Sequence, residues 1–151
     1  MAKDKLTVKK HHSIGIILFF RFPRKIKFLL LKQHQGHWGF PKGHVEKGEK
    51  YLDTAIRELK EETGIKKIKL IKNKILLRDF YSYNNGKNKI IKTVDYFIAE
   101  SLVDNVKIDN KEIINFKWVT FEKGTDRLTF SKSKRILKSA NKIINEHISN
   151  K

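Results

Sequence analysis

The sequence has no cysteine and only two prolines among its 151 residues. Without cysteine, neither a disulfide framework nor a cysteine-ligated zinc site can form. Long apolar runs are also missing: the longest, residues 14–20, is interrupted by Gly15 and falls short of the ~18–20 residues that a membrane span needs. Arg21 follows directly, without a small-residue cleavage site, so a secretory signal is not predicted. We expect a soluble, cytoplasmic protein with no membrane association.

Acidic residues are scarce as well. The chain has 34 Lys and Arg but only 16 Asp and Glu, which gives a formal net charge of +18. Such an excess is one feature of nucleic-acid-binding proteins. However, 28 of the 34 cations are lysines, spread along a chain that is also rich in Ile and Asn. This pattern is more typical of the codon bias of an AT-rich genome. Under either interpretation, a positive field attracts polyphosphate anions.

The apolar runs and turn residues predict a single α/β domain over residues 1–151, in which strands outnumber helices. Strands are predicted at 12–20, 25–33, 69–83, 89–100 and 115–121, and helices at 50–63 and 131–148. A loop is predicted at 34–45, and Asn84-Asn85-Gly86 predicts a hairpin turn. The first ten residues are expected to form either a flexible basic tail or part of the first strand.

Three carboxylates share one face of the first predicted helix. Glu58, Glu61 and Glu62 have i, i+3 and i+4 spacing, so their side chains project together. Their mutual repulsion is relieved by a cation, and Mg²⁺ is typically held by a few carboxylates and substrate phosphates. A solvated acidic face is the alternative. The acidic cluster nevertheless stands out in so basic a chain, because six of the 16 carboxylates fall within residues 46–62.

The segment before this helix complements the carboxylates. Gly43 and Gly48 allow the main chain to approach a ligand or a metal closely. Glu49 ends the segment, and we predict that it pairs with Arg57 and so closes the loop onto the helix.

Residues 43–65 resemble the signature of the Nudix hydrolases. All nine fixed positions of that signature are filled: Gly43, Glu49, Arg57, Glu58, Leu59, Glu61, Glu62, Gly64 and Ile65. The resemblance implies an α/β/α sandwich around a mixed β-sheet and hydrolysis of a nucleoside diphosphate linked to another group. It gives Gly43, Glu49 and Gly64 structural roles in the motif.

The same resemblance implies the catalytic and metal-binding residues. Glu58, Glu61 and Glu62 would bind Mg²⁺ or Mn²⁺, and Arg57 would orient Glu58. A backbone carbonyl around Lys42 and Gly43 would complete the coordination. Metal-activated water would then attack a phosphorus atom. Glu112 is our candidate for a general base outside the motif.

The flanking segments resemble those of the asymmetrical diadenosine tetraphosphate hydrolases, which release ATP and AMP. The similarity lies in HWGFPKGHVE at 37–46, in the strand that contains Lys92, and in the spacing from Glu112 to Trp118. By this resemblance, Lys92 binds a phosphate with help from His37 and Lys42. Tyr83 and Phe130 are candidates to stack on adenine.

Other activities stay open at this point. A closely similar group of Nudix enzymes removes pyrophosphate from triphosphorylated RNA 5′ ends, and others act on nucleoside triphosphates or inositol pyrophosphates. A non-catalytic nucleotide-binding domain is disfavoured because every carboxylate of the signature is present. We expect a monomer, with a dimer as the alternative.

Overall fold

The computed structural model describes residues 6–150, which form an eight-stranded sheet and three helices. The strands are β1 Thr7–Phe22, β2 Lys25–Gln33, β3 Trp38–Gly39, β4 Lys42–His44, β5 Ile68–Leu70, β6 Leu77–Asn85, β7 Asn88–Ser101 and β8 Ile113–Val119. The helices are α1 Tyr51–Thr63, α2 Phe121–Arg127 and α3 Ser131–Ser149. Among the described residues, no helix is both long and apolar enough to cross a membrane.

The sheet is mixed and is built around β1 and β7. These two strands run parallel from the Thr7–Asn88 pair to the Phe19–Glu100 pair. The other neighbours are antiparallel: β2 and β4 lie on β1, β5 and β6 on β7, and β3 and β8 on β2. The predicted mixed sheet is thus confirmed. Short β4 places the chain before α1 against the middle of β1.

Helices cover both faces of the sheet. On one face, Ala55 and Leu59 of α1 pack with alternate β1 side chains such as Ile14 and Ile16. On the other, α3 packs with Ile17 and its neighbours. The strand pattern explains this division, since successive side chains point to opposite faces and central strands are apolar on both. The predicted α/β/α sandwich is therefore correct.

Several boundaries differ from the sequence-based prediction. Residues 7–10 belong to β1 and are no tail, whereas residues 1–5 lie outside the described part. The predicted strand 69–83 is divided into β5 and β6, since residues 71–76 leave the ladder, although Ile71 and Leu76 still bond to β7 backbone oxygens. Two short strands, β3 and β4, lie in the predicted loop 34–45. The helix α2 was not predicted, and the hairpin turn lies at Gly86–Lys87.

Gly15 is placed where no side chain fits. A Cβ there would lie 2.4 Å from the carbonyl oxygen of Pro41 and 2.8 Å from both Lys42 Cβ and a Tyr96 ring carbon. We expect Gly15→Ala to lower the free energy of unfolding by about 1–3 kcal/mol, as overpacking generally does. Urea unfolding followed by circular dichroism measures this change. Gly39→Ala is the matched control, because a Cβ there meets nothing within 4 Å; equal stability of both variants would contradict the prediction.

Candidate active site

An arginine clamp joins the segment before α1 to the helix. Arg57 donates from Nε to Glu49 Oε2 at 2.7 Å and from Nη2 to Glu49 Oε1 at 3.1 Å. Nη2 also donates to the His44 carbonyl at 3.1 Å. Hydrogen bonds from Arg57 and then Thr54 lower the pKa of Glu49 to about 2. The predicted Glu49–Arg57 pair is therefore present, and it closes the loop onto the helix.

The same guanidinium orients Glu58. Arg57 Nη1 donates to Glu58 Oε1 at 2.9 Å, as expected for the orienting role. On its other side, the Glu58 carboxylate lies against Gly43, where a Cβ would be 2.0 Å from the carboxyl carbon. Glycine at this position is thus required by space, and the backbone of β4 and the Glu58 carboxylate are in direct contact.

Glu62 is the most deeply buried carboxylate of α1. It is 2% exposed, and its Oε2 atom has no hydrogen-bond partner among residues 6–150. Burial raises its pKa to about 9, with further contributions from the nearby carboxylates of Glu58 and Glu112. A buried polar atom without a partner is unfavourable. A cation would supply the missing partner and keep the carboxylate charged.

Glu61, the third predicted metal ligand, lies further out. Its side chain is 55% exposed and its Oε2 is 3.3 Å from Arg57 Nη1. Among residues 6–150, no three carboxylate or imidazole groups are arranged as a complete metal site. The structure thus brings Glu58 and Glu62 together, with Glu61 at the rim.

The donors at this position nevertheless suit a hard divalent cation. Glu58 and Glu62 are adjacent carboxylates, one oxygen of Glu62 is unpaired, and Gly43 leaves the backbone accessible beside them. Mg²⁺ and Mn²⁺ prefer such oxygen ligands. The residues therefore fit the cation that the sequence implied.

These carboxylates line an open cleft, which we call the carboxylate cleft, of about 550 Å³. Its lining residues are Ser13, Gln33, His34, Gln35, His37, Lys42, Gly43, His44, Glu46, Glu58, Glu62, Lys111 and Glu112. Glu112, the predicted general base, lies immediately before β8. The fold thus brings it into one cleft with Glu58 and Glu62, although about 50 residues separate them in sequence.

A second concavity, which we call the aromatic cavity, has a volume of about 470 Å³. It is lined by His37, Trp38, Gly39, Phe40, Lys42, Asp79, Tyr81, Lys92, Val94, Tyr96, Phe130, Ser131, Lys132 and Ser133. His37 and Lys42 line both this cavity and the carboxylate cleft. The two spaces therefore adjoin, with a cationic side chain at their junction.

Basic groups at this junction repel one another. Burial and then the charge of Lys92 lower the pKa of Lys42. The pKa of His37 is lowered by its burial, by Lys42 and by Lys92. Phosphate oxygens placed between these groups would relieve the repulsion. Three of the predicted substrate contacts, His37, Lys42 and Lys92, are thus brought together.

The two predicted stacking residues occupy different positions. Phe130 lines the aromatic cavity, is 54% exposed, and has its ring centroid 5.4 Å from that of His37. Tyr83 lies outside the cavity lining, beneath the Lys92 ammonium at 5.8 Å. Tyr81, two residues earlier on the same face of β6, lines the cavity instead. Tyr81 and Phe130, and not Tyr83, therefore line this cavity together.

A charge cluster around the buried Asp95 ties three strands together. Asp95 of β7 is fully buried and accepts from Arg78 Nε at 2.7 Å and from Arg78 Nη2 at 3.1 Å. His12 Nε2 of β1 lies 2.8 Å from Asp95 Oδ2, and the His12 ring packs edge-on against Tyr51 at the start of α1. The cluster therefore links the sheet to the first turn of α1.

This cluster predicts a loss of stability in acid. Burial favours the neutral form of Asp95, but the hydrogen bonds from Arg78 and His12 outweigh it and lower the pKa below 3.8. Because the pKa of Asp95 is lower in the folded state, its charge stabilises the fold at pH values above the pKa of the unfolded state. This contribution to stability disappears as the pH falls through the pKa of the folded state.

We expect Asp95→Asn to lower the free energy of unfolding by about 1–3 kcal/mol at pH 7, the usual effect of breaking hydrogen bonds to a buried charged group. The difference from wild type should shrink between pH 5 and pH 2. Urea unfolding across this range tests both points, with Asp53→Asn, an exposed α1 carboxylate, as control. A difference independent of pH would contradict the assignment.

Sequence patterns missed four features of this region: Gly15, Asp79, Tyr81 and the Asp95 cluster. Only Tyr81 had a signal, because it shares strand parity with Tyr83. The other three features depend on the β1–β7 and β6–β7 registers. No local sequence motif predicts which residues two such strands place side by side.

Comparison with known proteins agrees with this geometry. Residues 9–139 match the NUDIX domain family. The asymmetrical bis(5′-nucleosyl)-tetraphosphatase of Rattus norvegicus is 34% identical over 141 residues, covering 87% of this chain and 94% of that protein. An RNA pyrophosphohydrolase of Pelagibacter ubique is 30% identical over 139 residues, covering 83% and 86%.

Among solved structures, a binary complex of the C. elegans Ap4A hydrolase superimposes with a TM-score of 0.76. It is 26% identical and covers 90% of this chain and 98% of its own. The family match and the similarity over most of the chain point to the same family as the arrangement of Arg57, Glu58 and Glu62. The chain belongs to the Nudix hydrolase family and acts on phosphoanhydride bonds.

Proposed function

We propose that the protein is a Mg²⁺-dependent hydrolase that cleaves diadenosine tetraphosphate asymmetrically into ATP and AMP. The main support for this proposal is that the carboxylate cleft and the aromatic cavity adjoin at Lys42. One space has the carboxylates that a divalent cation needs, and the other has the size and aromatic lining of a nucleoside site. A polyphosphate extending from the aromatic cavity past Lys42 would reach Glu58 and Glu62. Similarity to named tetraphosphatases supports this assignment.

Each residue has a separate task in this proposal. Glu58 and Glu62 would hold the cation, with the backbone near Lys42 and Gly43 as a further ligand and Glu61 available at the rim. When bound, Mg²⁺ or Mn²⁺ would neutralise phosphate charge and acidify water. Arg57 positions Glu58. Lys42, Lys92 and His37 would bind phosphate oxygens, and Phe130 and Tyr81 would pack on a base.

Glu112 is assigned as the general base. One oxygen of its carboxylate would take a proton from the attacking water, whose oxygen joins the phosphorus that becomes part of AMP. The bridging oxygen leaves with ATP, so the net reaction consumes one water. A positioned base contributes about 10²–10⁴-fold. The exposed position of Glu112 in the cleft gives it access to water.

Product analysis tests the proposal. Purified protein is incubated with Mg²⁺ and diadenosine tetraphosphate, and the products are separated by ion-exchange chromatography. ATP and AMP in equal amounts are expected, and EDTA should abolish their release. Two ADP molecules, or no hydrolysis, would contradict the proposal. Performing the reaction in H₂¹⁸O should place the label in AMP alone.

A second candidate substrate is the triphosphorylated 5′ end of RNA. The face of β6 and β7 that leads out of the aromatic cavity has the stacked pair Tyr81–Tyr83, with ring centroids 6.4 Å apart. Lys92 and Lys132 lie over these rings. Aromatic and cationic groups of this kind suit single-stranded nucleic acid. Similarity to RNA pyrophosphohydrolases points the same way.

The two substrates are separated by a parallel assay. Release of pyrophosphate or orthophosphate from triphosphorylated RNA, with little hydrolysis of the dinucleotide, would favour the RNA activity. Its KM should then rise steeply with salt, because each phosphate contact releases counterions. Sedimentation in the same buffer would test the expected monomer against a dimer. A cytoplasmic location is proposed with this function.

A further inference from the structure

Asp79 is a carboxylate that the proposed reaction leaves without a role. It lies on β6 opposite Val94 of β7 and is partly buried. It is the sole acid among the described residues that line the aromatic cavity. Its backbone belongs to the β6–β7 ladder, but its side chain forms no hydrogen bond or ion pair with any residue between 6 and 150.

A carboxylate at this position disfavours phosphate. Asp79 does not line the carboxylate cleft, but its charge is near enough to oppose the lowering of the Lys42 pKa and to add to the effect of burial, which raises the pKa of Tyr96. A polyphosphate would therefore lie toward Lys42 and the cleft. Asp79 would instead face the nucleobase, which occupies the cavity between Tyr81 and Phe130.

The chemistry of a carboxylate limits which base edge it can bind. An ionised carboxylate only accepts hydrogen bonds, and its two oxygens accept from two neighbouring donors. Guanine presents such a pair, N1–H and the N2 amino group, on its Watson–Crick edge. Adenine presents one N6 donor beside the N1 lone pair, which a carboxylate repels. Stacking alone would not separate the two bases.

We propose that Asp79 is a specificity-determining residue that makes the aromatic cavity prefer guanine to adenine. This inference rests on the proposed function and refines its substrate. Among dinucleoside tetraphosphates, one with a guanosine in this cavity would be the better substrate. The alternative is that Asp79 only balances the charges of Lys42 and Lys92, in which case its replacement would affect the binding of all nucleotides equally.

Binding of mononucleotides tests the proposal without relying on turnover. Calorimetry would compare GMP with AMP on wild type, on Asp79→Asn and on Asp126→Asn, an exposed carboxylate of α2 that makes the same charge change outside the cavity. We expect wild type and Asp126→Asn to bind GMP about 10-fold more tightly than AMP, in the range of one bidentate base contact. Asp79→Asn should lose this preference, because an amide matches the donor and acceptor of adenine.

Two outcomes would overturn the proposal. One is equal affinity of wild type for GMP and AMP. The other is an unchanged ratio in Asp79→Asn, including a uniform gain for both nucleotides, which would identify the counter-charge role. Hydrolysis of diadenosine and diguanosine tetraphosphate by the same three proteins distinguishes a failure of the proposed function from a failure of the proposed base preference. If wild type hydrolyses neither, the proposed function fails, whereas the GMP-to-AMP ratio still decides the role of Asp79.

Discussion

Replacing Glu58 or Glu62 with glutamine should reduce turnover of diadenosine tetraphosphate about 10²–10⁴-fold, the range associated with a positioned catalytic group. Either change keeps the shape of the side chain and removes one of the two adjacent charges that would hold the cation. The rate at saturating substrate in Mg²⁺ measures the effect. Glu122→Gln, an exposed carboxylate at the start of α2, should retain full activity.

Stability distinguishes a cation-binding role from a structural one. Burial raises the pKa of Glu62 to about 9, so without metal the folded protein keeps this carboxyl protonated at neutral pH although the unfolded chain would ionise it, and this difference lowers stability. Glu62→Gln should therefore be at least as stable as wild type without Mg²⁺. Wild type should gain thermal stability from added Mg²⁺ because ligand binding favours the folded state, and Glu62→Gln should gain much less. Near-normal activity, or an equal Mg²⁺ effect in both proteins, would contradict the assignment.

The local part of this site could be predicted from the sequence. The helical spacing placed Glu58 and Glu62 together, although Glu61 lies further out. Gly64 marked the end of α1, where it adopts a left-handed conformation with φ of 74°. Both are properties of a single helix, so no tertiary information was needed. The Glu49–Arg57 contact was also predictable, because only a few residues separate the two.

The long-range part could not be predicted in the same way. Which strand lies beside β1, and in which register, decides that Asp95 meets His12 and that a Cβ at Gly15 would clash with Pro41. Ile56 illustrates the same limit on a helix. Ile56 shares the helical spacing of the apolar residues at 52, 55 and 59, which indicates one buried stripe, yet it is 37% exposed, since the packing of α1 on the sheet favours Ala55 and Leu59.

Replacing Arg57 with lysine should reduce turnover by about 10²-fold or more, an effect typical of lost preorganisation in a site, while most of the stability is retained. The guanidinium makes hydrogen bonds from all three nitrogens, to Glu49, Glu58 and the His44 carbonyl. Lysine keeps the charge but has one ammonium group, which cannot reproduce this planar fork. Arg21→Lys, which alters an ion pair with Glu100 remote from the clefts, is the control.

Because Arg57 acts through other groups, its role is positioning, and the pattern of effects should show this. The loss should appear in kcat more than in KM, since Arg57 lines neither the carboxylate cleft nor the aromatic cavity. Glu49→Gln should produce a similar loss, and the double variant should be little worse than either single one, because residues that act as one unit are not additive. Additive losses would show that Glu49 and Arg57 act separately. The closure of the loop onto α1 would then be a structural contact without a part in orienting Glu58.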